Sequence, residues 1–101
     1  MGNEESMAEH RIDTVLIVDD EHALRSVLGK MLGDEGCRVL TAADGKEAQA
    51  ILQAHPEPIS VVILDWMMPQ MSGIELLRWM KKQPRIEHIP VIMLTALDDP
   101  E

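Results

Sequence analysis

The stretch Val61-Val62-Ile63-Leu64-Asp65 decides how the chain is read. Two valines, an isoleucine and a leucine run directly into a carboxylate. A short unbroken apolar run suits a strand buried on both faces of a parallel sheet. Asp65 then stands at the strand's carboxyl end, where open α/β sheets bind their ligands. Two similar runs flank it. Val15-Leu16-Ile17-Val18 leads into Asp19-Asp20-Glu21, and Pro90-Val91-Ile92-Met93-Leu94 leads into Thr95-Ala96. Three apolar strands thus each end in an oxygen-bearing side chain.

Working outward, a chain of 101 residues is one domain. Hydrophobic residues make up 46% of it, enough for a core, but its aromatics are two Trp with no Phe or Tyr. Eight Met and the aliphatic residues therefore fill the interior. The formal net charge of −9 disfavours direct nucleic-acid contact and anionic membranes. Concentrated carboxylates do attract divalent cations. The single Cys37 rules out an internal disulfide, fits a reducing compartment and reads as a small buried hydrophobe. No apolar run reaches the ~18 residues of a membrane span. The acidic start, Met1-Gly2-Asn3-Glu4-Glu5, is unlike a signal peptide. The expectation is a cytoplasmic protein.

In chain order, residues 1–11 read as a flexible tail and 12–101 as the folded domain. Strand one runs from about Asp13 to Val18, and Asp20 or Glu21 caps the helix that follows. That helix continues to about Glu35, with Leu24, Val27, Leu28, Met31 and Leu32 as one inward stripe and Gly36 as its stop. Arg38 to Ala42 is a short second strand, and Asp44-Gly45 turns into a second helix over Lys46 to Ala54. Ala48, Ile51 and Leu52 face inward from it, and Pro56 and Pro58 close it. After strand three, Trp66 to Gly73 is a loop. A third helix, Gly73 to Lys82, carries Ile74, Leu76, Leu77 and Met80. Strand four is Val91 to Leu94, and Ala96 to Glu101 begins a fourth helix. This alternation of strand and helix gives a parallel sheet with right-handed crossovers.

Asp19, Asp20 and Asp65 cluster if strands one and three are neighbours. Packed carboxylates repel one another unless a cation neutralises them. Mg²⁺ fits best, because it takes hard oxygen ligands and commonly pairs one or two carboxylates with a phosphate. A carboxylate beside such an ion is also a nucleophile toward phosphorus and gives an aspartyl phosphate. The Thr95 hydroxyl is placed to hydrogen-bond a phosphoryl oxygen. Taken singly, Asp20 reads as a helix cap, Asp65 as a turn residue and Thr95 as an ordinary strand end. The three junctions together outweigh those readings.

The same residues carry a resemblance. Val15 to Glu21, Ile63 to Gly73 and Pro90 to Ala96 resemble the receiver domain of two-component response regulators, over about Thr14 to Thr95. The resemblance implies a flavodoxin-like fold with strand order 2-1-3-4-5, and in this chain 2-1-3-4 with the fifth βα unit absent. It implies Asp65 as phosphoacceptor and Asp20, Asp65 and the Met67 backbone carbonyl as Mg²⁺ ligands. Asp19 then acts largely through water, and Thr95 is the switch hydroxyl, with Ala96 leaving it room. The implied donor is a phosphohistidine on a sensor histidine kinase or histidine phosphotransfer protein. The domain then catalyses only its own phosphorylation and dephosphorylation.

The family pattern also has a Lys at the end of a fifth strand. The lysines here are Lys30, Lys46, Lys81 and Lys82, and none follows Thr95. Lys81 and Lys82 read as mid-helix residues on a solvated face. Without strand five, the apolar strand Val91 to Leu94 is an unprotected edge. The expectation is a piece of a longer protein, or a homodimer or segment swap through that edge. A receiver used only for protein contacts is a second reading. An aspartate-nucleophile phosphatase is a third, but it needs an acid two positions past the nucleophile, where this chain has Met67. His10, His22, His55 and His88 share no ligand spacing and read as surface or loop residues.

Overall fold

The computed structural model describes residues 13–55 and 58–94. Seven elements alternate: β1 (Thr14–Val18), α1 (His22–Asp34), β2 (Arg38–Ala42), α2 (Gly45–Ala54), β3 (Val61–Asp65), α3 (Gly73–Lys81) and β4 (Val91–Leu94). The strands form one sheet in the order β2-β1-β3-β4, and every pairing is parallel. This is the flavodoxin-like order expected from the sequence. Strand boundaries agree with the sequence reading to within one residue.

Register places alternate residues on opposite faces. Leu16 lies beside Leu40 and Val62, and Val18 beside Ala42 and Leu64. These residues face α2 and α3 and form the core with Ala48, Leu52, Leu76 and Met80. Leu16, Val62, Leu64, Leu76 and Met80 are fully buried. The opposite face carries Ile17, Ile63 and Ile92 in a row, since Ile17 pairs with Ile63 and Ile63 with Ile92. Exposure climbs along that row: Ile17 is fully buried, Ile63 is half-buried and Ile92 is 53% exposed.

That gradient corrects two expectations. Strand three is not buried on both faces, because Val61 and Ile63 are only half covered. The inward stripe of the first helix is not fully inward either. No α1 side chain is fully buried, and Val27 and Met31 are exposed. Both follow from one arrangement. α1 packs over β1 and β2, and no other described helix lies on that side of the sheet. Leu24, Leu28 and Leu32 are half-buried, while Val27 and Met31 stay in solvent.

The helix ends are built locally. α1 stops one residue earlier than expected, where Gly36 adopts φ 96°, its N–H bonds the Gly33 carbonyl, and the Cys37 N–H bonds that of Leu32. This paired closure needs a left-handed residue, which glycine supplies without strain. Cys37 is half-buried rather than buried. At α2, Asp44 caps the Glu47 N–H at 2.8 Å. Ser72 and Glu75 form a reciprocal capping box at α3. Lys81 ends α3 and Lys82 caps it, so neither is mid-helix. The Lys81 ammonium donates to the Glu87 carbonyl at 2.9 Å. The expected tail 1–11, Pro56, Thr95 and the fourth helix from Ala96 to Glu101 lie outside the described residues.

Candidate metal and phosphoacceptor site

The site begins with strand pairing. β1 and β3 are neighbours, so their carboxyl ends, Val18 and Leu64, lie side by side. The next residues, Asp19 and Asp65, emerge together. One carboxylate oxygen from each of Asp19, Asp20 and Asp65 lies within 4.8 Å of the other two. The three acids singled out in the sequence are therefore brought into one cluster. Asp19 is buried, Asp65 half-buried and Asp20 exposed, so the cluster opens to solvent on one side.

Backbone contacts hold each acid differently. The Asp19 N–H donates to the Ala42 carbonyl at 3.1 Å, which extends the β1–β2 ladder by one bond. Its carboxylate accepts the Glu21 N–H at 2.8 Å. This bond corrects the capping expectation. Glu21 is the N-cap residue but makes no side-chain cap bond, and the acid two residues before it receives a backbone N–H instead. The Asp19 carbonyl accepts Nη1 of Arg25 at 2.7 Å. On β3, Asp65 receives the Met67 N–H at 3.3 Å. The Trp66 N–H donates to the Leu94 carbonyl, and the Gly73 N–H to that of Trp66, both at 2.9 Å. The loop after Asp65 is thus tied to β4 and to the first residue of α3. Gln70 within it holds φ 73°, an unusual conformation for a residue with a side chain.

The electrostatics follow from that geometry. The Asp65 carboxyl is pushed above its ordinary value of 3.8, first by burial, while the Met67 N–H opposes the shift. The charge of Asp19, and then a hydrogen bond with Asp20 and its charge, push it further up. Like charges disfavour ionisation where water is partly excluded. A cation removes that penalty, and three hard oxygens on this scale suit a small divalent ion that keeps some of its waters. The chemistry of the donor set therefore fits Mg²⁺.

Around this pocket Trp66 and Met67 are exposed, at 43% and 67%. Thr95, expected beside a phosphoryl group, lies outside the described residues. Among the described residues, no histidine joins the site. His22 opens α1, while His55 and His88 line a cavity of about 220 Å³ with Leu52, Ile59, Arg85 and Ile89. Two residues that matter here, Arg25 and Gly73, carry little signal in the sequence. Arg25 carries a signal only in hindsight, one helical turn past Glu21 and hence able to reach back over the end of β1. Gly73 reads from the sequence as a helix start, and no local pattern signals that its α-carbon is pressed against Asp65.

Comparison with known proteins agrees with this fold. Residues 15–101 match the family described as response regulator receiver domain. The chain is 44% identical over 82 residues to the phosphate regulon transcriptional regulatory protein PhoB of Rhizobium meliloti, covering 81% of this chain and 35% of that protein. It is 44% identical over 86 residues to the probable transcriptional regulator ycf27 of Cyanophora paradoxa, covering 84% and 34%. The chain thus spans about a third of the length of these relatives. Among solved structures, the N-terminal domain of a response regulator receiver protein from Methanoculleus marisnigri superposes with TM-score 0.77 at 42% identity, covering 82% of this chain and 66% of that one. The chemotaxis response regulator CheY4 of Vibrio cholerae gives TM-score 0.79 at 37% identity, covering 88% and 72%.

Proposed function

This chain belongs to the response regulator receiver domain family, whose work is two-component phosphorelay signalling, and from that premise we propose that Asp65 is its phosphoacceptor. The observation that carries the proposal is the convergence of Asp19, Asp20 and Asp65 within 4.8 Å at the carboxyl end of a parallel sheet. Bound there, Mg²⁺ would offset negative charge on the acids and on the incoming phosphoryl group.

The residues divide the work. An Asp65 carboxylate oxygen attacks phosphorus as the bond from phosphorus to the donor's imidazole nitrogen breaks, and the imidazole keeps the electron pair. The product is an acyl phosphate on Asp65. Asp20, Asp65 and the Met67 carbonyl would hold the metal, and Asp19 would act on it through water. Thr95 offers the hydroxyl that hydrogen-bonds the phosphoryl group and so reports phosphorylation to a partner. The domain is regulatory and turns over only its own phosphate.

The proposed donor is a phosphohistidine on a sensor histidine kinase or a histidine phosphotransfer protein. The proposed domain assignment is 12–101, and its proposed place of action is the cytoplasm. No described helix is long and apolar enough to cross a membrane. The net charge of −9 argues against direct nucleic-acid contact. A homodimer through β4 is part of the same proposal, since no described strand pairs with its outer edge. Light scattering that returns a monomer at high concentration would remove that element.

The experiment is phosphorylation by a small acyl phosphate with Mg²⁺, read by intact mass. The expected result is a gain of one phosphoryl group that is lost without metal and in Asp65→Asn. Labelling that persists in Asp65→Asn would overturn the assignment.

A further inference from the structure

We propose that Arg25 is a positioning residue for the acidic pocket: through the Asp19 carbonyl it sets the direction in which Asp20 enters the metal site. The inference rests on the reading of Asp19, Asp20 and Asp65 as a Mg²⁺ site.

Nη1 of Arg25 donates to the Asp19 carbonyl oxygen at 2.7 Å, in a part-buried position. That oxygen belongs to the peptide unit joining Asp19 to Asp20. A peptide unit is planar, so a group that holds its carbonyl also holds its N–H and the following α-carbon. Arg25 therefore acts on Asp20 without touching its carboxylate. Asp20 needs such help more than its neighbours do. Asp19 is 3% exposed and its own N–H and carboxylate are both bonded, whereas Asp20 is exposed.

The helix supplies the geometry. The Arg25 N–H donates to the Glu21 carbonyl at 3.1 Å, which places the residue at the close of the first turn of α1. Helical side chains lean toward the helix N-terminus, so the guanidinium reaches back over the end of β1. Arginine suits the task. Its charge is permanent, it carries donors only, and its fork is rigid. A neutral donor would hold the carbonyl less firmly, since a charged partner makes the stronger hydrogen bond.

A purely structural role is the competing account. α1 has no fully buried side chain, so the same bond also helps to fasten the helix to the sheet. Affinity for the metal separates the two roles. The variants are Arg25→Met, Arg25→Lys and, as a control, Leu28→Ala, which loosens α1 at a half-buried position away from the acids. Each is titrated with Mg²⁺, followed by Trp66 fluorescence and by the Asp20 and Glu21 amide resonances, and each is melted thermally.

Arg25→Met is expected to weaken Mg²⁺ on the order of tenfold, as removal of a ligand-orienting partner does, while Leu28→Ala stays within about twofold of the parent despite a lower Tm. In the metal-free protein, Arg25→Met shifts the Asp20 and Glu21 amides, and Arg25→Lys recovers part of the affinity. The inference is overturned if Arg25→Met binds Mg²⁺ as the parent does, or if Leu28→Ala weakens binding equally. If the parent itself shows no saturable response to Mg²⁺, the metal reading fails first and takes this inference with it.

Discussion

Gly73 is pressed against Asp65: a Cβ on Gly73 would lie 2.2 Å from the Asp65 carbonyl oxygen and 3.1 Å from the Trp66 α-carbon. Both obstacles are backbone, and neither can swing aside as a side chain does. The first residue of α3 thus fits under the end of β3 only without a side chain. Gly73→Ala is expected to destabilise the fold by about 1–3 kcal/mol, the range of overpacking, and to weaken Mg²⁺ binding as the Asp65–Met67 segment shifts. Urea unfolding and a Mg²⁺ titration check the two effects, and an unchanged midpoint would refute the tight fit.

Asp65 makes a prediction about pH. Its carboxyl titrates above 3.8 in the folded chain, chiefly through burial, so the folded state binds that proton more tightly than the unfolded state. Stability from this group is therefore present below 3.8 and falls as pH rises through the raised folded value. Asp65→Asn removes the ionised form without changing shape. At neutral pH without metal it is expected to raise Tm by a few degrees, a modest gain because the group is partly solvated. The gain should vanish near about pH 3, where the native acid is also neutral. Melting curves at both pH values, with and without Mg²⁺, test the sign.

The capping box at α3 connects helix stability to the site. The Ser72 hydroxyl accepts the Glu75 N–H at 3.2 Å, and the Glu75 carboxylate accepts the Ser72 N–H at 2.9 Å. Ser72→Ala is expected to cost about 1 kcal/mol by loss of the cap. The Asp65 loop runs directly into this helix, so amide exchange from Met67 to Gly73 should quicken in the same variant.

The uncovered face of the sheet predicts unequal costs for one chemical change. Ile17 and Ile92 lie on the same face two strands apart, one fully buried and the other 53% exposed. Ile17→Ala is expected to cost about 2–5 kcal/mol, as buried isoleucines do, while Ile92→Ala stays under about 1 kcal/mol. Equal losses would mean that Ile92 is covered in solution.

Much of this was legible from residues alone. Short apolar runs separated by helical periodicity can satisfy their backbone and bury their faces in few ways, and right-handed crossovers leave a parallel sheet. Asp19, Asp20 and Asp65 could be grouped because each follows such a run, and strand ends in a parallel sheet point the same way. Thr95 could be singled out by the same rule, although it lies outside the described residues. Coverage was not legible. The stripe Leu24, Val27, Leu28, Met31 and Leu32 has the period of a buried helix face, yet Val27 and Met31 are exposed. A periodic stripe states which way a helix can turn, not how much of the sheet lies opposite it.

By itself, then, the sequence determined the element order, the parallel sheet and the identity of the three acids, because hydrophobic period and turn chemistry are properties of neighbouring residues. Tertiary structure alone decided the rest. It placed Asp19 and Asp65 side by side, seated Gly73 under Asp65, swung Arg25 onto the Asp19 carbonyl and left Ile92 in the open. Each of these joins residues distant in the chain or separated by a helical turn, and such distances are set by strand register and helix packing rather than by local preference.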